Sequence, residues 1–186
     1  ASIEAGTNSF NNAFAANSIG YFVGGRLYFD IGKFSINTNL HYENINQNLV
    51  ARNVINKTYD FTSYTSTTAI KNQSIDYAII GLNLMYPIFK NHGLGVGVQY
   101  AQLVKTNDLF TTNNLENNTI TNKKTENYST GISKNDIQFT FNYQFRFAKH
   151  LAVNATYVYG LNEVSTINNN KYQNQGIKLG LQYIIK

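Results

Sequence analysis

The chain has 186 residues, which suits one domain, so we expect a single domain over 1–186. Its residues are 42% hydrophobic and only 13% charged, and the charged share is about half that of a usual soluble domain. The absence of cysteine excludes a disulfide framework and thiolate chemistry. No segment reaches the roughly 18 apolar residues of a membrane-spanning helix. If the protein is exported, Ala1 lies near the start of the mature chain.

Apolar and polar residues alternate with a period of two along most of the chain, and this pattern predicts β-strands. In 137–147, every odd position is aliphatic or aromatic and every even position is polar. Taken in chain order, the same pattern predicts eight strands, over 2–9, 18–30, 34–47, 74–89, 94–106, 134–147, 150–162 and 175–185.

The connections between these strands alternate between short and long. The tight ones lie at 31–33, 90–93 and 148–149. The long, polar ones lie near 10–17, 48–73, 107–133 and 163–174. This sorting is typical of outer-membrane barrels, which have short periplasmic turns and long extracellular loops. We therefore predict an all-β fold, an eight-stranded antiparallel up-and-down transmembrane β-barrel in a Gram-negative outer membrane. Its long loops are expected outside the cell, and both termini in the periplasm.

In every strand whose alternation is clear, the apolar set of alternate positions, which we call the apolar parity, carries no charge. We therefore expect it to face lipid while the polar parity faces the lumen. A soluble lipid-binding barrel, with its apolar parity inward, is the open alternative. The aromatic residues of the apolar parity fall at two heights, as expected for belts at the two interfaces of a bilayer. The belt near the tight turns comprises Phe29, Phe34, Tyr86, Phe145 and Tyr183. The belt near the long loops comprises Tyr21, Tyr42, Tyr100, Tyr157 and Tyr159.

The charges of the inward parity balance, which predicts a lumen filled by an ionic network. Its members are Glu4, Arg26, Asp30, Glu43, Arg146 and Lys178. A proton or ion path through the same residues is the alternative. Most of the net charge of +5 is expected at the tight-turn end, where Lys186 lies and where Lys33, Lys90 and Lys149 form a basic rim. Such a rim suits lipid phosphates or an acidic partner, and not nucleic acid.

Nucleophilic catalysis needs a nucleophile and a base within reach of each other, and the sequence offers only three histidines as bases. His41 stands alone on the inward parity, where we expect it to form hydrogen bonds in the lumen. His92 and His150 lie in or beside tight turns, and two histidines without a carboxylate make a weak metal site. We therefore predict no enzymatic activity, no cofactor and no metal. The alternating Gly95 and Gly97 are expected to relieve crowding in the lumen or to allow curvature of the strand.

Two segments carry a family resemblance. One is 149–186, KHLAVNATYVYGLNEVSTINNNKYQNQGIKLGLQYIIK, with Tyr159-Gly160-Leu161 at the end of a strand, and the other is 90–103, KNHGLGVGVQYAQL. They resemble the small outer-membrane barrels of the Bacteroidetes, the PorT-like and outer-membrane β-barrel domain group. The general form is also similar to OmpA- and OmpX-type barrels. Such chains usually end on an aromatic residue, whereas this one ends Ile184-Ile185-Lys186. The resemblance implies no single activity, because many members are accessory barrels and some serve protein secretion.

The expected function is that of a structural or interaction protein, an accessory subunit of a larger outer-membrane complex. Its expected partners are outer-membrane lipid and other outer-membrane or periplasmic proteins, bound through the long loops or the basic turns. A small-solute channel is the main alternative. A lipid-modifying barrel enzyme and a soluble lipid-binding barrel are the others.

Overall fold

The computed structural model describes the backbone of residues 1–12, 15–55, 66–116, 119–127, 133–162, 165–167 and 170–185. It describes the side chains of 1–10, 19–46, 74–106, 133–162 and 173–185. Within these ranges, no helix is long and apolar enough to cross a membrane.

The described backbone forms eleven β-strands. They are β1 (Ser2–Asn12), β2 (Ala15–Ile31), β3 (Phe34–Ile55), β4 (Ser66–Phe89), β5 (His92–Glu116), β6 (Thr119–Asn127), β7 (Asn135–Ala148), β8 (Leu151–Gly160), β9 (Ser165–Ile167), β10 (Asn170–Tyr172) and β11 (Gln175–Ile184).

Eight of these strands close into a barrel in the order β1, β2, β3, β4, β5, β7, β8 and β11. Neighbours pair antiparallel throughout. The barrel closes because β1 pairs with both β2 and β11, so that Ser2 lies opposite Arg26 on one side and Ile184 on the other. The predicted fold class, an eight-stranded antiparallel barrel, is confirmed.

At one end of the barrel, two-residue turns join β2 to β3, β4 to β5 and β7 to β8. We call this the turn end. The turn residues are Gly32-Lys33, Lys90-Asn91 and Lys149-His150, close to the predicted positions. Gly32 has a φ of 61°, a left-handed conformation that a residue without a Cβ adopts at little cost. Both described chain ends also lie here, since the Ala1 amine donates to the carbonyl of Ile185 at 3.3 Å.

The other end differs from the prediction, because the expected long loops contain strand. In the expected loop 10–17, β1 runs to Asn12, which pairs with the first residue of β2, Ala15. In 48–73 and 107–133, strands β3, β4 and β5 continue far past the barrel and β6 is added. Residues 163–174 include β9 and β10, which pair with each other. The sequence did not reveal these strands because polar residues predominate in them and their few apolar residues, such as Leu49 and Val50, fall on both parities, so no alternation marks them.

The extensions form what we call the projecting sheet: residues 46–55 of β3, 66–74 of β4, 107–116 of β5, and β6. Its strands pair in the order β3, β4, β5, β6, as in Leu49 with Lys71, Lys71 with Phe110, and Phe110 with Glu126. At about 3.3 Å per residue, ten residues of β3 carry the sheet roughly 30 Å beyond the barrel.

The barrel wall is apolar outside and mostly polar inside. Leu82 and Phe141 are 51% and 56% exposed, whereas their chain neighbours Asn83 and Asn142 are 3% and 5% exposed. This is the arrangement predicted from the alternation. It is the reverse of a soluble barrel, which keeps its apolar residues inside.

Candidate functional site

Four of the six predicted lumen charges form two buried ion pairs. Oε2 of Glu4 lies 2.5 Å from Nε of Arg26, and Nζ of Lys178 donates to Oε2 of Glu43 at 2.7 Å. None of these four side chains is more than 5% exposed. Because a lone charge in a dry lumen is costly, each member needs its partner.

Neutral side chains complete this charged layer. His41 places Nε2 3.5 Å from Oε2 of Glu4, consistent with its predicted role inside the lumen. Asn154 donates to Oε1 of Glu4 at 3.0 Å, and Asn8 donates to Oε1 of Glu43 at 2.7 Å. The Phe22 ring links the two pairs, since it packs 5.6 Å from the His41 ring and 6.0 Å from Nζ of Lys178.

The other two predicted charges, Asp30 and Arg146, do not join this layer. Both lie on the inward parity, but within two residues of the turn ends of β2 and β7, and both are exposed. The prediction that all six charges form one network is therefore wrong for these two. Alternation assigns a residue to a face and gives no information on depth, and at the mouth of the barrel a charge remains hydrated.

Amide side chains fill the lumen beside the charges. Oδ1 of Asn83 accepts from Thr140 and Asn142, both at 2.8 Å, and its amide donates to Asn37 at 3.0 Å. Nearer the turn end, Gln182 accepts from Gln144 at 2.6 Å. These bonds join β4 to β3 and β7, and β7 to β11, so they link side chains that project into the lumen from neighbouring and next-neighbouring strands.

Glycines make room for this packing. A Cβ on Gly180 would lie 2.8 Å from both Oε1 of Glu4 and Cζ of Phe22, closer than real Cβ contacts. Gly95 and Gly97 leave space for Met85 and Asn83 in the same way, as their alternation in the sequence predicted.

A buried apolar cluster closes the lumen on the side of the projecting sheet. Its members are Phe10, Ile45, Ile75, Tyr77, Ile79, Ala101 and Val158, with Leu103 packed against them. This cluster was not predicted from the sequence, because a polar inward parity was expected along every strand. The segment 77–80 could have revealed the cluster, because its residues are apolar on both parities. That pattern is typical of strands buried on both faces.

A cavity of about 540 Å³ opens at the turn end, and we call it the turn-end cavity. Three cationic side chains from different elements line it, those of Lys33, Lys90 and Arg146, together with Asp30 and with Ala1, which carries the terminal amine. Two residues of the predicted basic rim therefore reach this cavity. The third, Lys149, is exposed in the β7–β8 turn and does not line it.

All ten predicted belt residues lie on the outer face of the barrel. Nine are exposed, from Phe145 at 36% to Phe29 and Tyr183 at 54%. Tyr159 is half-buried and donates its hydroxyl to Gln173 at 3.2 Å.

No protein-family model and no curated protein sequence matches the chain. Solved structures do. The crystal structure of Ail, the attachment invasion locus protein of Yersinia pestis, in complex with the heparin analogue sucrose octasulfate is 12% identical, with a TM-score of 0.50. The match covers 98% of this chain and 97% of Ail. The outer membrane protein Ail in a phospholipid bilayer nanodisc is 12% identical at a TM-score of 0.45, covering 98% and 97%. Neisserial surface protein A is 9% identical at 0.39, covering 99% and 96%.

These comparisons show only that the chain shares the fold of small β-barrels. Of the three structures, only the first reaches a TM-score of 0.50, and at 12% identity it supports the shared barrel architecture alone. The resemblance to the PorT-like barrels of the Bacteroidetes is not tested by them and stays a prediction.

Each histidine is held by its own neighbours. Nδ1 of His92 lies 2.7 Å from the Tyr143 hydroxyl, and its ring stacks on Phe145 at 4.7 Å. Nδ1 of His150 lies 3.0 Å from the carbonyl oxygen of Ile184. Among the residues whose side chains are described, no three His, Asp or Glu residues form a group that could hold a metal.

Proposed function

We propose that the protein is an integral outer-membrane barrel without enzymatic activity that acts as an interaction protein. In this proposal it is an accessory subunit of a larger outer-membrane complex for secretion, assembly or uptake. The projecting sheet lies outside the cell, and both termini lie in the periplasm. The observation that carries the proposal is the projecting sheet, which extends polar strands far beyond the closed barrel.

The projecting sheet has open edges, in contrast to the barrel. Among the described residues, β6 pairs only with β5, and β3 beyond Ile45 pairs only with β4. Unpaired N–H and C=O groups along a strand edge form a template on which a partner strand can be added. We therefore propose strand addition at the open edge of β6 as the mode of partner binding.

The outer surface of the barrel supports its proposed place in the membrane. Exposed aliphatic and aromatic side chains surround it, including Leu27, Leu40, Leu82, Val96 and Phe141. A soluble protein rarely exposes a contiguous apolar patch larger than a few hundred Å². The cheapest test is extraction: the folded protein should require detergent to remain in solution.

The filled lumen argues against the small-solute channel. Two buried ion pairs and the apolar cluster occupy it, and a barrel of eight strands is just wide enough for its own side chains. Planar-bilayer recording should be silent for the purified chain, and reproducible unitary currents would favour the channel instead. The lipid-modifying enzyme would require lipid turnover that His41→Ala abolishes, and we expect no turnover.

The complex is tested by native-gel migration after gentle detergent extraction. The extracted protein should migrate in a species larger than the monomer. Proline removes one backbone N–H, and successive N–H groups of a strand point to opposite edges. Of the two variants Lys123→Pro and Lys124→Pro in β6, one therefore removes an N–H from the open edge. At least that variant should migrate as monomer. Lys149→Gln, which leaves the projecting sheet intact, is the control and should keep the larger species. A monomer of the unmodified chain under every extraction condition would contradict the proposal.

A further inference from the structure

The turn-end cavity is a charged, built space that the proposed function does not use. We propose that it binds the phosphate group of a phospholipid headgroup. This inference rests on the proposed position of the barrel in a bilayer, but not on partner binding by the projecting sheet.

The charge of the cavity favours an anion. Lys33 comes from the β2–β3 turn, Lys90 from the β4–β5 turn and Arg146 from β7, whereas Asp30 is the one acidic side chain in the lining. All three cations are exposed, and none forms an ion pair with a described carboxylate. An anion therefore meets positive charge from three elements without breaking an existing pair. Arginine adds a planar fork of donors that fits phosphate oxygens in two parallel hydrogen bonds.

The wall of the cavity adds neutral hydrogen-bonding groups. Ser35 lines it, and the Ser35 hydroxyl is buried without a hydrogen-bond partner among the described residues. Buried polar groups are nearly always satisfied, so an unused hydroxyl on a residue of the lining is a candidate donor to a phosphate oxygen. The Gln144 amide also lines the cavity and donates to Oε1 of Gln182 at 2.6 Å.

The position of the cavity favours a lipid over a free phosphate as the source of the anion. Phe34 and Tyr86 line the cavity and also belong to the aromatic belt near the tight turns, and their rings are 5.3 Å apart. Aromatic belts lie at the level of the headgroups. The cavity is thus continuous with the apolar outer surface, so a phosphate could sit among the cations while its acyl chains follow that surface.

The test uses the full chain in an uncharged detergent and three probes. The probes are short-chain phosphatidylglycerol, glycerol phosphate without chains, and diacylglycerol with the same chains but no phosphate. Titration calorimetry should show saturable binding of phosphatidylglycerol and much weaker binding of the other two. Arg146→Gln should weaken that binding about tenfold or more, because it removes the charged fork of donors that holds the phosphate. Lys33→Gln and Lys90→Gln should weaken it less.

Two matched variants separate a site from general surface charge. Lys149→Gln makes the same charge change at the same end of the barrel but outside the cavity, and it should leave binding unchanged. Asp30→Asn removes the one acid of the lining and should strengthen binding. Equal losses in Lys149→Gln and Arg146→Gln would overturn the site, and glycerol phosphate binding as tightly as the lipid would overturn the headgroup assignment. Because these measurements need no partner protein, they can fail while the larger species on the native gel persists, or the reverse.

Discussion

Glu4 and Arg26 face each other inside the barrel, with Oε2 of Glu4 2.5 Å from Nε of Arg26 and neither side chain more than 5% exposed. The register explains the contact, because β1 pairs Ser2 with Arg26 and Glu4 with Gly24, which makes the two charges diagonal neighbours. The missing side chain at Gly24 leaves room beside them for His41. The pair is thus held by backbone register and by a glycine, and burial keeps both side chains from the surface.

The first prediction concerns this pair. Glu4→Gln should lower the free energy of unfolding by about 3–5 kcal/mol, because it leaves the Arg26 charge buried and unpaired. Urea unfolding in detergent measures the effect. Asp30→Asn, an exposed charge at the mouth of the barrel, should change stability by less than about 0.5 kcal/mol. The double variant Glu4→Leu/Arg26→Met should be more stable than Glu4→Gln, because it leaves no unpaired charge. Equal stability of Glu4→Gln and Asp30→Asn would contradict the predicted role of the pair.

The sequence predicted correctly on which face of the barrel each charged residue lies, but not how deep in the lumen it lies. Alternation placed Glu4, Arg26, Glu43 and Lys178 inside because parity depends only on the pleat of a strand. It could not separate them from Arg146, because depth depends on the register between strands and on strand tilt. The apolar cluster around Ile79 was missed for a related reason, since two-sided burial hides the alternation. The projecting sheet was predicted as loop because its sequence is mostly polar and its apolar residues do not alternate.

The second prediction tests the packing that glycine permits. Gly180→Ala should destabilise the barrel by about 1–3 kcal/mol, the usual cost of overpacking, because the new Cβ would meet Glu4 and Phe22 at 2.8 Å. Gly93→Ala is the matched control, since the nearest atom to its Cβ would be Cε of Met85 at 3.4 Å, an ordinary contact. Unfolding by guanidinium in detergent compares the two. Equal midpoints for both variants would show that the lumen around Gly180 has more free space than the structure gives it.

The third prediction uses two adjacent isoleucines on opposite faces. Ile79 is fully buried in the apolar cluster, whereas Ile80 is 59% exposed on the outer wall. Ile79→Ala should cost about 2–5 kcal/mol, because it removes buried methyl groups and leaves a cavity that rigid strands cannot close. Ile80→Ala should cost clearly less, since the side chain contacts surroundings that can rearrange. The comparison is made by thermal unfolding in detergent, and a larger loss for Ile80→Ala would reverse the assigned faces.

The fourth prediction distinguishes a membrane barrel from a soluble one by the depth dependence of a single change. Phe141 lies midway along β7 on the outer face, and Phe147 lies on the same face next to the turn. In a bilayer, Phe141→Arg should cost about 2–4 kcal/mol and Phe147→Arg about 0–1 kcal/mol, because a charge near the interface reaches water and phosphates. Reversible guanidinium unfolding in phospholipid vesicles measures both. A soluble barrel has water at both positions, so it would tolerate the two arginines equally. Equal stability of the two variants would therefore count against the proposed membrane position, whereas a difference of the stated size would place Phe141 at the level of the acyl chains.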